Sequence, residues 1–444
     1  MKQNKASLEN KVIRKVTLRI IPYIFILYII SFLDRVNIGY AALDMNKDLG
    51  LTASTMGLIS GIFFFGYLLF EVPSNIFMHR VGASKWIARI MVSWGIVVIA
   101  TAWAQNEIHL YILRFLLGVA EAGFFPGIIL YITYWFRAKE QARAFALFTT
   151  ALAASNIIGA PVSTWIMDHI QWIGMQGWRW MFVLEGIPAV IFGIITYFYL
   201  TDRPNDAKWL SHEEKDWLNA ELQKERESKL GVEQHSIKQV LKNPRVLHLS
   251  LIYFTLVTGL YGIGFWLPTI IKEFSQVLSN TQVGLITMIP YIIGAFAMIW
   301  WGRHSDRTGE RRLHVAIPPL VGAIGLIGCG MISDPVTSLV FMAIATAGIY
   351  SFFGPFWSLP ALFLTGSSAA VGIAFINSIG NLGGFLGPYM LGYLKDATGK
   401  MQIGLFFLGA LLVICSLLVL SIKKEYTKIT SKNIFHKHKV ESNG

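Results

Sequence analysis

The chain has 444 residues, of which 54% are hydrophobic and only 14% carry a charge. Ordinary globular domains carry about a quarter charged residues, so this composition excludes a typical soluble enzyme. The net charge of +12 raises the question of nucleic-acid binding. However, most of the excess base lies before residue 20 and after residue 420, where it flanks apolar segments as in membrane proteins. We therefore expect a multi-pass membrane protein without a nucleic-acid partner.

Apolar runs long enough to cross a bilayer recur along nearly the whole chain. A transmembrane helix needs roughly 20 mostly apolar residues. We predict twelve spans, at 20–42, 55–78, 86–104, 110–136, 144–167, 179–201, 246–271, 281–303, 313–332, 336–364, 369–394 and 401–421. The first span is too long for the core of a signal peptide, which indicates a helix that is retained.

One long polar segment, 202–245, separates six spans from six. Within it, Ser211 and Glu214 have the spacing of a capping box, which predicts a charged surface helix. The predicted organisation is an N-terminal tail, a six-helix bundle, a linker, a second six-helix bundle and a basic tail. Their respective ranges are 1–19, 20–201, 202–245, 246–421 and 422–444.

The short loops between spans alternate between rich and poor in lysine and arginine. Cytoplasmic loops carry the excess of base in membrane proteins. This alternation predicts that both termini and the linker are cytoplasmic, and that the protein is a multi-pass component of the cell (cytoplasmic or inner) membrane.

Two corresponding turns, after spans two and eight, indicate an internal repeat. The second turn, from Gly302 to Arg312, resembles the loop motif of the major facilitator superfamily. The first turn differs, because Asn75 replaces the glycine and His79 stands where an acid is usual. The predicted gating-loop residues of the two turns are Arg80, Gly82, Asp306, Arg307, Gly309 and Arg312.

Charged side chains inside the predicted spans are confined to the first half, apart from those at helix ends. A charge at mid-membrane costs about 2.5–3.5 kcal/mol on insertion scales, so such residues are candidates for function. They are Asp34, Arg35, Glu71, Arg114, Glu121 and Glu185. The pairing of Glu71 is expected to be structural, and Glu185, which follows Trp178 to Trp180, is expected to pair locally.

The other four charges suggest coupling between an anion and a proton. Arg114 and Glu121 are two helical turns apart and share a face. Arginine stays charged and its planar fork suits a carboxylate, so Arg35 and Arg114 are predicted to bind substrate. A buried carboxylate that loses its arginine to an arriving anion binds a proton, which makes Asp34 and Glu121 the predicted proton carriers. The alternative is a set of permanent ion pairs.

Neutral residues in the later spans are further candidates for substrate binding. They are Asn156, Tyr261, Trp357, Asn377 and Asn381. Each could instead join helices or pack in the core. No phosphate-binding glycine loop or nucleotide motif is present, so we expect no cofactor and a proton gradient as energy source, with sodium as the alternative ion.

Several longer segments resemble the anion:cation symporter family of the major facilitator superfamily, closest to its tartrate, phthalate and 4-hydroxyphenylacetate branch. They are Phe32 to Gly39, Gly66 to Asn75, Arg114 to Gly127, Gly177 to Trp180, Asp202 to Pro204 and Asn377 to Gly384. This resemblance covers nearly the whole chain. It implies transport of small carboxylates, mostly with protons, with Arg35 and Arg114 on the carboxylate and Asp34 and Glu121 coupling the proton.

We therefore predict an all-α membrane protein of two pseudo-symmetric six-helix bundles, with the major facilitator fold and alternating access between the bundles. The predicted function is uptake of a small organic carboxylate by proton symport, without enzymatic activity and as a functional monomer in the lipid bilayer. A drug or metabolite efflux antiporter is the alternative, although Gly159-Ala-Pro161 lacks the full motif of that class. An organophosphate exchanger would need a base in span seven, and a non-transporting sensor is the alternative from another class.

Overall fold

The computed structural model describes residues 2–229, 242–274, 277–360 and 366–422. Within these ranges the chain is helical, and short turns join the helices. The helices are α1 (Lys2–Leu49), α2 (Ala53–Val81), α3 (Ala83–Thr101), α4 (Glu107–Glu121), α5 (Phe124–Trp135), α6 (Ala138–Thr149), α7 (Ala151–His169), α8 (Gly177–Tyr199), α9 (His212–Lys229), α10 (Pro244–Phe274), α11 (Asn280–Thr308), α12 (Arg312–Met331), α13 (Pro335–Ser351), α14 (Phe353–Ser358), α15 (Gly366–Asn381), α16 (Gly383–Thr398) and α17 (Met401–Leu420).

Eleven helical segments of the described chain are long and apolar enough to cross a membrane. The remaining predicted span, 369–394, corresponds to α15 and α16, which are 16 residues each and meet at Leu382. Neither piece reaches the length of a span alone, although the two follow each other directly. The predicted all-helical class with two sets of spans is confirmed.

A break inside the fourth predicted span positions one of the candidate site residues. The span 110–136 consists of α4 and α5, and Gly123 between them has a φ of +87°. A side chain would strain this left-handed conformation, which explains glycine there. Because α4 ends at Glu121, this carboxylate lies at a helix break, and such breaks in membrane helices line cavities or are buried in protein.

Close helix packing holds α4 against α2 in the N-terminal half. A Cβ atom on Gly118 would lie 2.0 Å from the carbonyl oxygen of Phe63, so only glycine permits this approach. Small residues drive such close contacts where lipid removes the hydrophobic force between helices. The packing fixes α4 next to α1 and α2 at the centre of the molecule.

The two halves, α1–α8 and α10–α17, are joined at the end of the bundle where α1 ends, which we call the opposite face. Asp396 accepts hydrogen bonds from the backbone N–H groups of Ser54 (2.7 Å) and Ala53 (3.2 Å) at the start of α2. Asp168 accepts one from the N–H of Thr281 (2.7 Å), near the start of α11. Each half thus caps a helix N-terminus of the other, where unpaired N–H groups and the helix dipole favour a carboxylate.

The other end of the bundle, where α1 begins, is here called the terminal face. The predicted capping box of the linker is confirmed, since Ser211 N–H donates to Glu214 (2.9 Å) and Glu214 N–H to the Ser211 hydroxyl (3.3 Å). Glu214 also accepts from Lys15 (2.8 Å), so α9 is docked on α1. Burial raises the pKa of Glu214, but the bonds from Lys15 and Ser211 together hold it below its usual range.

The first helix is continuous from Lys2 to Leu49, so the predicted tail at 2–19 is a helical extension of the first span. On this extension Glu9 pairs with Arg137 (2.8 Å), which also pairs with Glu221 of α9 (3.4 Å). Residues 230–241 of the predicted linker and 423–444 of the predicted basic tail lie outside the described residues.

Candidate functional site

An ion pair between Arg35 of α1 and Glu121 of α4 lies near the middle of the membrane-spanning length. At a rise of about 1.5 Å per residue, both residues are roughly 20 Å from the helix end at the opposite face. The guanidinium of Arg35 donates to Oε1 of Glu121, and so does the hydroxyl of Ser31 (2.7 Å). Arg35 and Glu121 are 7% and 1% exposed, so the pair is sealed from solvent.

The second predicted arginine, Arg114, is buried beside this pair, and some of its N–H donors have no partner among the described residues. One guanidinium nitrogen, Nη2, donates to the carbonyl oxygen of Arg35 (2.9 Å). Its Nε and Nη1 have no partner among the residues that the structure describes. The guanidinium carbons of Arg35 and Arg114 lie 5.1 and 5.5 Å from the centre of the Phe63 ring, so one aromatic ring contacts both cations.

Asp34 makes no ion pair with either arginine of the cluster in the described chain, although it neighbours Arg35 in sequence; its bonded partner lies on another helix. Its Oδ2 accepts a hydrogen bond from the indole N–H of Trp94 (2.9 Å), and its Oδ1 has no partner in the described chain. Successive residues on a helix are about 100° apart, which explains why the two side chains face different helices. The coupling role of Asp34 remains a prediction.

A separate polar network surrounds Glu185 of α8. Its carboxylate accepts hydrogen bonds from Ser163 of α7 (2.5 Å) and Asn37 of α1 (3.1 Å). All three side chains are at most 5% exposed. The predicted local pairing of Glu185 is wrong, because both donors come from other helices of the same half, which pack on this face of α8.

Two hydrogen bonds cross between the halves at the level of the arginines. Arg35 donates from Nη1 to the hydroxyl of Tyr261 on α10 (3.0 Å). Asn156 of α7 donates to the hydroxyl of Tyr350 on α13 (3.1 Å). The structure thus brings Arg35, Tyr261 and Asn156 to the seam between the halves.

The remaining predicted binding residues lie apart from the arginine pair. Asn377 and Ser378 donate to the carboxylate of Glu71 at 3.5 and 2.7 Å, which forms another contact between the halves nearer the terminal face. Trp357 packs edge-on against Tyr253, with ring centres 4.9 Å apart. Asn381 is half-buried at the end of α15. Roles for these residues in binding remain predictions.

The predicted gating-loop residues form two turns at the terminal face. Gly82 separates α2 from α3, and Asp202 accepts from the N–H of Ser84 there (2.7 Å) while Arg80 is exposed. Gly309 ends α11, next to exposed Arg307. In this second turn, Asp306 pairs with Arg311 (2.8 Å), whereas Arg312 donates to the carbonyl oxygen of Leu420. Gating by these turns remains a prediction.

Ser31, Trp94 and Tyr350 are among the central residues that the sequence does not predict. Ser31 precedes Arg35 by one helical turn, so its position on the same face was available from the spacing. Trp94 and Tyr350 come close only through the packing of distant helices, and nothing local marks them. Within the described residues, no group of three His, Cys, Asp or Glu side chains could hold a metal ion.

Comparison with known proteins identifies the family to which this chain belongs. Residues 24–388 match the Major Facilitator Superfamily. The chain is 49% identical to an Agrobacterium vitis protein named "Putative tartrate transporter", over 94% of this chain and 96% of that protein. It is 40% identical to a quinolone resistance transporter of Acinetobacter baumannii, over 96% and 98% of the two chains.

A solved structure with the same fold is a xylose transporter from E. coli in a partially occluded inward-open conformation. The two chains superpose with a TM-score of 0.75, at 15% sequence identity, over 92% of this chain and 98% of that one. At this identity the likeness concerns the fold alone.

Proposed function

Because the chain belongs to the Major Facilitator Superfamily and is a transporter, we propose that it takes up a small organic carboxylate together with protons. The substrate would bind at the seam between the halves, on Arg35 and Arg114. Uptake would then proceed by exposing this seam alternately to the two sides of the membrane.

The observation that carries this proposal is the buried bond between Arg35 and Glu121, next to unused donors on Arg114. A carboxylate arriving at the two arginines competes with Glu121 for Arg35. Once displaced, Glu121 is a buried carboxylate without its cation, and a proton then stabilises it. Binding of the anion and binding of the proton therefore favour each other, which is the requirement for symport.

The substrate class follows from the charge of the site and from the relatives. Two guanidinium groups on one aromatic ring suit a small dianion, since each offers a planar fork to a carboxylate. The relative named for tartrate shares 49% of aligned residues. We propose a small, hydroxylated dicarboxylate of this kind.

Purified protein in liposomes that enclose a pH-sensitive dye tests the proposal. With no gradient imposed, addition of tartrate outside is expected to acidify the lumen, since substrate and protons would enter together. Empty liposomes and the Glu121→Gln variant are the controls. Tartrate entry without a change in luminal pH would contradict proton coupling, and the same assay in sodium-free buffer tests sodium as the coupling ion.

Proton-coupled efflux is the second candidate, because the relative from Acinetobacter baumannii is named for quinolone resistance. The same liposomes separate the two. An antiporter exchanges substrate for protons, so entry of a quinolone would make the lumen more alkaline. Alkalinisation by a quinolone, with no response to tartrate, would replace the symport proposal by efflux.

We also propose that the terminal face is cytoplasmic and the membrane is the cell's inner membrane. The alternating charge of the loops supports this orientation. Single cysteines at exposed positions test it: at Asn106, before α4, an impermeant thiol reagent is expected to react in intact cells. A cysteine at exposed Asp216, on α9, is expected to react only after lysis. Labelling of Asp216→Cys in intact cells would reverse the orientation.

A further inference from the structure

Three tyrosines meet at the seam between the halves, close to the arginine pair. Tyr40 comes from α1, Tyr291 from α11 and Tyr350 from α13, and none is more than 2% exposed. The rings of Tyr291 and Tyr350 are 6.1 Å apart, and Tyr40 is an electrostatic neighbour of both. Counted along their helices, Tyr40 and Tyr291 lie about one turn closer to the opposite face than Arg35 does.

These hydroxyl groups are buried, yet several of their polar atoms have no partner. The hydroxyls of Tyr40 and Tyr291 make no hydrogen bond to any described residue, and neither does Oδ1 of Asn156. Asn156 nevertheless bonds Tyr350 through its Nδ2 at 3.1 Å, so its side chain is part of the same cluster. A buried polar group without a hydrogen-bond partner lowers stability by about 1–3 kcal/mol. Such groups are therefore rare in native proteins, and each one needs an explanation.

A bound molecule at the seam is the natural partner, because the cluster combines side chains of both halves. Tyrosine hydroxyls donate and accept hydrogen bonds but carry no charge, and the amide oxygen of Asn156 accepts. This combination matches an alcohol group, which also donates and accepts. It matches a carboxylate poorly, because an amide oxygen has no proton to offer it.

We infer that Tyr40, Tyr291, Tyr350 and Asn156 form a subsite that binds the hydroxyl groups of the substrate. The inference rests on the proposed function, in which Arg35 and Arg114 hold a carboxylate. The subsite then selects hydroxylated carboxylates against deoxy analogues of equal charge. A buried site built to bond a hydroxyl discriminates strongly, because an analogue without it leaves the polar groups unpaired.

The test compares tartrate with succinate, which has the same two carboxylates and no hydroxyl group. Dissociation constants are measured by calorimetry on purified protein for the wild type, Tyr40→Phe and Tyr291→Phe. We expect each variant to bind tartrate about tenfold more weakly, as for loss of one buried hydrogen bond, while succinate changes less than about twofold. Tyr23→Phe is the matched control, because the Tyr23 hydroxyl bonds Thr196 within the N-terminal half (2.9 Å) and does not face the cluster.

Succinate binding also shows that each variant is folded, so a loss confined to tartrate is specific. Equal weakening of both diacids, or no change in either, would overturn the hydroxyl subsite while leaving the proposed function intact. If the wild type binds neither diacid, the proposed function fails and the subsite fails with it.

Discussion

The two halves of the protein contribute different chemistry to the seam between them. The N-terminal half, α1–α8, supplies the arginines and the carboxylate, in Arg35, Arg114 and Glu121. The C-terminal half, α10–α17, supplies neutral hydroxyls, in Tyr261, Tyr291 and Tyr350. The two crossing bonds at this level, from Arg35 to Tyr261 and from Asn156 to Tyr350, both run from a donor in the N-terminal half to a tyrosine oxygen.

This division separates two tasks in one site. In the proposed function, the ionic groups select the charge of the substrate and bind the proton. Neutral hydroxyls pair with hydroxyl groups of the substrate, without altering the charge of the buried seam. Substitution of Glu121 should therefore affect energy coupling, whereas substitution of the tyrosines of the C-terminal half should affect affinity and selectivity alone.

The largest effect is expected from Glu121→Gln. The amide resembles a protonated acid that never releases its proton, so accumulation driven by a pH gradient should disappear while exchange of substrate continues. Uptake and counterflow in liposomes measure the two activities. Glu107→Gln, on the exposed first turn of the same helix, is the control and should behave as wild type. If Glu121→Gln still concentrates substrate, the proton site lies elsewhere and Asp34 is the next candidate.

Substitution of Arg114 should follow in size. Hydrogen bonds to charged groups are worth about 1.5–3 kcal/mol each, so Arg114→Ala should weaken carboxylate binding by roughly 10- to 100-fold. Arg114→Lys keeps the charge but loses the fork, and its effect should be intermediate. Calorimetry measures both, with Arg89→Lys of α3, whose guanidinium lies over the Trp86 ring, as control. Unchanged affinity in Arg114→Ala would remove this residue from the site.

Added volume should lower the stability of the protein at a tightly packed glycine of the N-terminal half, but not at an open glycine of the C-terminal half. The Cβ of Gly118→Ala would lie 2.0 Å from the Phe63 oxygen, and overpacking of this kind costs about 1–3 kcal/mol. Gly264 of α10 has nothing within 4 Å of an added Cβ, so Gly264→Ala is the matched control. Thermal unfolding in detergent should show a lower midpoint for the first variant only. Equal midpoints would mean that α2 and α4 separate at little cost.

The smallest of these effects is expected for Tyr261→Phe. The variant removes the hydroxyl that accepts from Arg35, and substrate affinity should fall by about two- to tenfold, the range of one net hydrogen bond. The number of protons per substrate should stay unchanged, because Glu121 is untouched. Flux measurements at several imposed voltages give this stoichiometry. A changed stoichiometry would show that the C-terminal half takes part in coupling, contrary to the division described above.

The fold and the charged residues could be predicted from sequence because membranes impose strong rules. Spans of fixed length and the cost of buried charge are enough to predict Arg35, Arg114 and Glu121 as candidate residues. The hydrogen-bond partners of these residues are harder to predict from sequence. Asp34 bonds Trp94 instead of an arginine, since the direction of a side chain depends on which helix packs on which face.

The neutral part of the site was the hardest to predict. Tyr261 and Asn156 were identified as polar groups in apolar spans, whereas Tyr40 and Tyr291 were not, because tyrosine is common in membrane helices. Asn377 is predicted to bind substrate, but in the structure its amide contacts Glu71, because α2 meets α15 there. Hydropathy predicts which segments are buried in the membrane, but only packing decides which polar groups meet.

The bonds at the opposite face also bear on how the protein assembles. Asp168 of the N-terminal half caps the first turn of α11 in the C-terminal half. Asp396 of the C-terminal half caps the first turn of α2 in the N-terminal half. This reciprocity makes the contact self-complementary in the manner of a two-fold dimer interface. Two separately synthesised halves would thus possess matching surfaces for docking.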